Sequence, residues 1–191
     1  MNVLGGASGF HDPAICALGG IQYLQYDGEK VVHSQLDVSG SFMKKLQKHL
    51  LFFYTNWHYR STSSLRTLTG DLEEALPNLH KIHELGHKAK DCIVQHDVLA
   101  LGRVIAEQQR YKQSLPGLFC DDKVESLLHT IESCGGLAQL PGGKIGAYVV
   151  IFAKPSLHQK IRQALSPMKE MSFSGVQYGT TGEYAAHQMA I

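Results

Sequence analysis

Three groupings in this chain have residue types and spacings that can do chemistry. The first is Asp12, which stands behind a glycine-bearing turn (Gly9-Phe10-His11-Asp12) and ahead of a short apolar segment, Ala14, Ile15, Ala17 and Leu18. A carboxylate at the start of a short helix is favoured by the helix dipole and the free N–H groups there, so Asp12 reads locally as an N-cap with Pro13 at the first helical position. The second is His83-Glu84-Leu85-Gly86-His87, which fits H-E-x-x-H. On a helix that spacing puts both imidazoles on one face for zinc, with the glutamate as general base. Glu107, on a returning helix, lies about level with His87 if the chain turns at His96, and then serves as a third ligand. Against zinc, eleven histidines make a chance match easier, Gly86 falls among inward positions, and His80 one turn earlier points to a histidine-rich solvated face. The third is Gly142-Gly143-Lys144, inside the loop Pro141 to Gly146. Backbone N–H groups there can approach a phosphate, with Lys144 as a point charge. A tight inter-strand loop with a solvated lysine is the alternative.

The elements that must position these groups follow from periodicity and turn chemistry. Ile21 to Tyr26 and Lys30 to Leu36 flank Asp27-Gly28, a strong hairpin signal because a type I′ turn needs positive φ at both central residues. The polar stretch Asp37 to Ser41 reads as a link and a candidate domain boundary. His49 to Thr55 is a dense apolar run of strand length, read as a strand buried on both faces. Asn56 to Ser64 is too rich in turn formers for a regular element. From Pro77, suited to a first helical position, Leu79, Ile82, Gly86, Ala89 and Ile93 recur at helical spacing. Asp97 can cap a second helix carrying Val98, Leu101, Val104, Ile105 and Gln108, giving an antiparallel helical hairpin that Ser114–Gly117 ends. Asp122 with Glu125 reads as a capping box for a third helix, with Val124, Leu127, Leu128 and Ile131 inward and Gly135 as its stop. Leu137–Leu140 and Ala147–Ala153 read as strands, Pro155–Leu165 as a helix, Met171–Tyr178 as a last strand, and Gly179–Ile191 as a polar tail. Strands first, then helices and strands in alternation, predict an α+β fold with a mostly antiparallel sheet and the helical hairpin and further helices packed on one face.

Composition narrows the classes of function. A chain of 191 residues with 43% hydrophobic and 18% charged residues can bury a sizeable core and is not disordered. Its formal charge of +1, with basic residues thinly spread, gives no basis for a nucleic-acid partner. Cys16, Cys92, Cys120 and Cys134 show no Cys-x-x-Cys spacing and fit reduced thiols. No signal-peptide pattern opens the chain, and the longest apolar run, Leu50 to Tyr54, is too short to span a bilayer. A cytoplasmic protein without a membrane partner is expected.

Several of these segments resemble the GHMP small-molecule kinases, in their sugar branch of galactokinase-like and heptose-7-phosphate kinase-like proteins. Gly9-x-x-Asp12, then Gly19-Gly20 and an apolar strand, is similar to the family's aspartate segment. Phe53-Tyr54-Thr55 followed by Arg60-Ser61 resembles its Tyr-Thr-Gly…Arg-Ser segment. Ile93 to Lys112, with Leu101-Gly102 and then Gln109 and Lys112, resembles the second hairpin helix of the heptose kinases. Cys134 to Phe152 resembles the third, glycine-rich motif and puts Gly143 and Gly146 on two of its glycines. The resemblance implies a ferredoxin-like GHMP C-terminal domain over residues 41–191, preceded in residues 1–40 by a remnant of the ATP-binding and substrate domain. It implies Asp12 as the catalytic residue facing the substrate hydroxyl, and Gly9, His11 and Arg60 as substrate-binding. It further implies Gly142, Gly143, Lys144 and Gly146 as a phosphate loop, ATP and Mg²⁺ as co-substrates with no tightly bound cofactor, and a sugar or sugar phosphate as acceptor. The family's Pro-x-x-Gly-Leu-Gly-Ser-Ser loop is missing from these 191 residues, as is its N-terminal arginine or lysine, and Pro13 replaces the usual glutamine. The expectation is therefore a kinase homologue that is incomplete and inactive alone, with a second chain as one source of the ATP loop. The alternatives are a non-catalytic ligand- or partner-binding module of the same fold, or a zinc hydrolase built on His83, Glu84 and His87.

Overall fold

The computed structural model describes residues 11–26, 28, 30–58, 61–142 and 145–171, apart from the side chains of residues 12 and 61–63. The described residues open with helix α1 (His11–Leu18), then strands β1 (Gln22–Tyr26) and β2 (Val31–Gln35), helix α2 (Gly40–His49) and strand β3 (Leu50–Tyr54). Helices α3 (Ser61–Gly70), α4 (Leu72–Val94), α5 (Val98–Gln113) and α6 (Asp122–Ser133) follow. Strands β4 (Leu137–Gln139) and β5 (Tyr148–Phe152), a 3-10 turn at Pro155–Leu157, helix α7 (His158–Ala164) and strand β6 (Lys169–Glu170) complete the described chain. The fold is α+β and its strand pairs are antiparallel.

β1 and β2 form the expected hairpin, with Tyr26 opposite Val31; Asp27 lies outside the described residues. The main sheet has the order β4-β5-β3-β6, so three of the strand regions read from the sequence share one sheet. Its fourth strand, Lys169–Glu170, precedes the expected last strand Met171–Tyr178, of which only Met171 is among the described residues. Met171 still donates its amide to the Phe52 carbonyl at 2.7 Å, and residues 172–191 lie outside the described part. β3 and β5 pair with Leu50 opposite Phe152 and Tyr54 opposite Tyr148.

That register gives the sheet two apolar faces, because both central strands carry apolar residues at every position. Leu51, Phe53, Val149 and Ile151 pack with Val124, Leu127, Leu128 and Ile131 of α6 and Ile161 of α7. Phe152, Leu50 and Val150 meet Phe42 of α2 and Val98 and Leu101 of α5 on the other side. The sequence predicts helices on one face; the structure divides them between both, as a strand buried on both faces requires. Gly102 is what lets α5 lie so close: a Cβ there would stand 2.7 Å from the Phe152 Cβ.

Other boundaries depart from the sequence reading for identifiable reasons. α1 begins at His11, so Asp12 and Pro13 lie inside its first turn and Asp12 is not the residue before the helix. The supposed link Asp37–Ser41 contains a helix start, with Ser39 Oγ accepting from the Phe42 amide at 3.1 Å as the α2 N-cap. Asn56–Ser64 runs into α3, held by Ser64 Oγ donating to the Leu118 carbonyl at 3.2 Å. α4 begins at Leu72, leaving Pro77 inside the helix. A proline there forfeits one backbone bond, but Glu73 and Glu74 favour the helix N-terminus and Ala75 is wholly buried beside Leu115 and Phe119. Gly86 is exposed, and Leu85 is the buried residue of that turn. Asp97 caps α5 as expected, accepting from the Ala100 amide at 2.9 Å. The inward stripe of α5 nevertheless continues through Ala106, Gln109 and Lys112, while Val104 and Gln108 are half-buried. α6 is capped by Asp121, accepting from the Val124 amide at 3.0 Å, so Asp122 and Glu125 do not form a capping box. Val124, Leu127, Leu128 and Ile131 point inward as expected, and Gly135 ends the helix.

Candidate functional site

The connection from β4 to β5 is fastened at both ends. At its entrance, α5 presents Gln109 and Lys112, three residues apart and so on one face. The Leu140 amide donates to Gln109 Oε1 at 3.1 Å, and Lys112 Nζ donates to the Leu140 carbonyl at 2.6 Å. At its exit, the Thr55 amide donates to the Ala147 carbonyl at 2.8 Å and the Thr55 hydroxyl to the Gly146 carbonyl at 3.1 Å. The buried side chain of Ile145 anchors the same segment in the core. Entrance and exit come so close that a Cβ on Gly146 would stand 2.8 Å from the Pro141 carbonyl oxygen, so only glycine fits there. Gly142 turns the chain with φ at +93°. Gly143 and Lys144, the tip of the expected phosphate loop, lie outside the described residues.

The electrostatics of this neck are unusual in one respect. Lys112 is 5% exposed, and burial pulls its ammonium down to about 8. Among the described residues no acidic side chain pairs with it. Gln109 is 2% exposed, and its Nε2 has no hydrogen-bond partner among the described residues. A backbone neck bare of side chain at Gly146, next to a buried cation, is compatible with a phosphate group.

The other expected site residues are dispersed. Asp12 is on α1, which packs against β1, and its side chain is outside the description. His11 is exposed at the start of the same helix. Gly9 and Arg60 lie outside the described residues. The H-E-x-x-H segment is on α4, where the His83 and His87 rings meet edge to face at 4.9 Å between centroids. The Tyr23 hydroxyl and His87 Nδ1 are hydrogen-bonded at 2.6 Å, with Lys90 Nζ 4.5 Å from the Tyr23 ring centre. Glu84 is engaged by Lys81 at 3.0 Å, which holds its carboxyl below the usual glutamate range. Among the described residues no three His, Cys, Asp or Glu side chains gather as metal ligands, so Glu107 does not join the histidine pair. Glu107 instead borders a separate cavity with Arg103, Arg110 and Tyr111.

Thr55, Gln109 and Lys112 lie in segments that resemble the family, with no role implied for them there. The available signal was the apolar stripe of α5, which, continued in steps of three and four from Val98, Leu101 and Ile105, reaches Gln109 and Lys112.

The fold is shared with solved kinases. A D-glycero-D-manno-heptose 1-phosphate kinase from Bacteriodes thetaiotaomicron superposes with a TM-score of 0.62 at 15% identity, covering 88% of this chain and 46% of that one. The L. major mevalonate kinase, solved in complex with R-mevalonate, gives a TM-score of 0.60 at 15% identity over 80% of this chain and 48% of that one. Mevalonate kinase from methicillin-resistant Staphylococcus aureus MRSA252 gives 0.52 at 15% identity over 80% and 48%. The chain thus spans less than half the length of these structures. No family model matches the sequence, and no curated protein matches it significantly. At such identities the likeness defines the fold: it is that of the GHMP-family kinases, and of their C-terminal domain.

Proposed function

We propose that the chain is the C-terminal half of a GHMP-type kinase, with the aspartate-bearing edge of its N-terminal half, that transfers a phosphoryl group from ATP to a hydroxyl of a sugar or sugar phosphate. Residues 41–191 act as the C-terminal-type domain, and residues 1–40 contribute the edge that carries Asp12. The observation that carries this reading is the doubly fastened glycine loop within a kinase fold. In the reaction the acceptor hydroxyl oxygen attacks the γ-phosphorus, the bond from that phosphorus to the bridging oxygen breaks, and ADP leaves. Asp12 orients the hydroxyl and takes its proton, while His11, Gly9 and Arg60 contact the acceptor. Gly142, Gly143, Lys144 and Gly146 face a phosphate. Mg²⁺ would come with the nucleotide and would supply neutralisation of charge on the transferring phosphate. Phosphoryl transfer depends chiefly on positioning and neutralising the phosphates. The 191 residues contain no Pro-x-x-Gly-Leu-Gly-Ser-Ser loop. In this reading that loop comes from a further segment, on the same polypeptide or another chain, and these residues alone do not turn over. Four unpaired thiols support a cytoplasmic location, and no helix among the described residues is long and apolar enough to cross a membrane.

The test is complementation. The chain is assayed against hexose and heptose phosphates alone and with a phosphate-loop half added as a fusion or second chain. Turnover is expected only in the complemented form. Asp12→Asn there is expected to lower it by roughly 10²- to 10⁴-fold, the contribution of a well-placed base, with nucleotide affinity nearly unchanged. Robust phosphorylation by the chain alone refutes the incompleteness. Complemented turnover indifferent to Asp12→Asn removes the proposed base, and binding of a sugar without any turnover favours a non-catalytic module.

A further inference from the structure

We infer that the cleft between the β1–β2 hairpin and α4 binds a small organic anion, an oxyanion head carried on a ring-sized apolar body. No step of phosphoryl transfer enters this inference. Tyr23, Tyr26 and Val32 line the cleft from the hairpin, and His83, Gly86 and His87 line it from α4, around a volume of about 470 Å³. That size is usual for a small-molecule site. The sequence reads this helix face as solvated; the structure lays a hairpin across it. Gly86 shows what the arrangement favours. It lies inside α4, where glycine is destabilising relative to alanine, and it does not have a positive φ. Packing does not demand it either, since a Cβ there would meet nothing within 4 Å. Its effect is to leave the floor of the cleft open.

The chemistry of the walls selects the occupant. Among the described residues that line the cleft none is acidic, so an anion meets no like charge there. The Tyr23 hydroxyl and His87 Nδ1 are hydrogen-bonded at 2.6 Å, which orients that imidazole through one nitrogen and leaves Nε2 without a bond to another described residue. His83 makes no hydrogen bond to a described residue, and its ring meets His87 edge to face. Lys90 Nζ, 4.5 Å from the Tyr23 ring centre, holds a positive charge against this cluster. Glu84, beside His83 in the chain, is already engaged by Lys81 at 3.0 Å. A metal would need a third ligand, which is not gathered among the described residues. An oxyanion needs N–H donors and positive charge, and the cluster has both. The hairpin wall accounts for the body. Val32 and Tyr26 are 55% and 59% exposed, and covering such apolar surface is favourable. A ring attached to the anionic head packs on that wall.

The experiment uses the full chain with phenyl phosphate and benzoate as probes, read by isothermal titration and by shifts of the histidine ring resonances in NMR spectra. Inorganic phosphate serves as the head alone and benzyl alcohol as the body alone. One or both ring anions are expected to bind at millimolar concentration or below, more tightly than either control. Their relative affinity tells a phosphate head from a carboxylate head. His83→Ala removes a donor that makes no other hydrogen bond. It is expected to weaken binding by about 10- to 100-fold, the range for losing a bond to a charged group. Gly86→Leu puts a side chain into the cleft and is expected to abolish binding. Circular dichroism establishes folding, and His83→Ala carries the comparison if Gly86→Leu does not fold. Benzyl alcohol bound as tightly as the anions means an apolar patch without charge recognition, and inorganic phosphate bound as tightly means that the body is irrelevant; either overturns the inference. Anion binding unchanged in both variants places the site elsewhere and overturns it too, as does the absence of binding by the wild type.

Discussion

The Thr55 hydroxyl donates to the Gly146 carbonyl at 3.1 Å and accepts from the Trp57 amide, also at 3.1 Å. One buried hydroxyl therefore joins the end of β3 to the end of the glycine loop and closes the turn that follows β3. Thr55→Val keeps the shape and removes both bonds, leaving a buried carbonyl and a half-buried amide without these partners. Stability is expected to fall by about 1–3 kcal/mol, measured by urea unfolding. Thr55→Ser, which restores the hydroxyl, should recover most of it. A Thr55→Val variant as stable as the wild type would show that the hydroxyl bridge contributes nothing, and a loss in Thr55→Ser alone would point to packing of the methyl.

Gly102 tests the packing of α5 on the sheet. In an exposed helix, replacing glycine by alanine gains about 1 kcal/mol. At Gly102 the new methyl would stand 2.7 Å from the Phe152 Cβ and 3.1 Å from its Cγ, and a Cβ cannot rotate away. Overpacking of this kind costs about 1–3 kcal/mol, so Gly102→Ala should lower the melting temperature. Gly86→Ala on α4, where nothing lies within 4 Å of the new atom, should raise it. The opposite order in a pair of thermal scans would refute the placement of α5.

What the sequence discloses of this fold depends on whether one element's own residues specify it. The β1–β2 hairpin, the α4–α5 turn capped by Asp97, and the inward face of α6 are read directly, because local turn chemistry and apolar period determine them. α2 escapes because Lys44, Lys45, Gln47 and Lys48 outnumber Phe42, Met43 and Leu46, and its helix depends on the Ser39 cap and on packing against α5. α3 escapes for a similar reason, since Ser64 acquires its partner from the Leu118 carbonyl, 54 residues on. The candidate site divides the same way. Glycines announce the loop, but the burial of Lys112 is a property of the tertiary packing of α5. His83 and His87 share a face as the spacing predicts, yet a third ligand is a matter of how α4 and α5 align, which spacing on one helix does not set.

The histidine pair gives a prediction about metal. Glu84 is engaged by Lys81 at 3.0 Å, and among the described residues no third His, Cys, Asp or Glu side chain gathers with His83 and His87 to hold a metal. Purified protein should carry sub-stoichiometric zinc, and a chelator should leave its melting temperature unchanged. One tightly held zinc per chain, released in His87→Ala, would put the hydrolase reading ahead of the kinase reading.

Lys112 gives a prediction about pH that needs no ligand. Burial lowers its folded-state value from 10.5 to about 8, while in the unfolded chain it titrates near its ordinary value. Between those two values the unfolded chain binds more protons than the folded one, so this group makes stability rise with pH across that interval. Below about 8 both states are protonated and the cost of the buried charge is fully present. Above 10.5 both are neutral and the cost is gone. A shift of this size corresponds to about 3 kcal/mol at 1.36 kcal/mol per pH unit. The other lysines, tyrosines and cysteines also titrate here, so the informative quantity is the difference between wild type and Lys112→Met, in which they cancel. Urea unfolding from pH 7 to pH 10.5 should show that difference moving toward the wild type by up to about 3 kcal/mol, with most of the movement above pH 8. At neutral pH the variant loses the bond to the Leu140 carbonyl but also sheds the buried charge, and exchanges of this kind are often neutral or stabilising. A difference that stays flat across the whole range would show that the Lys112 ammonium is hydrated or paired in solution.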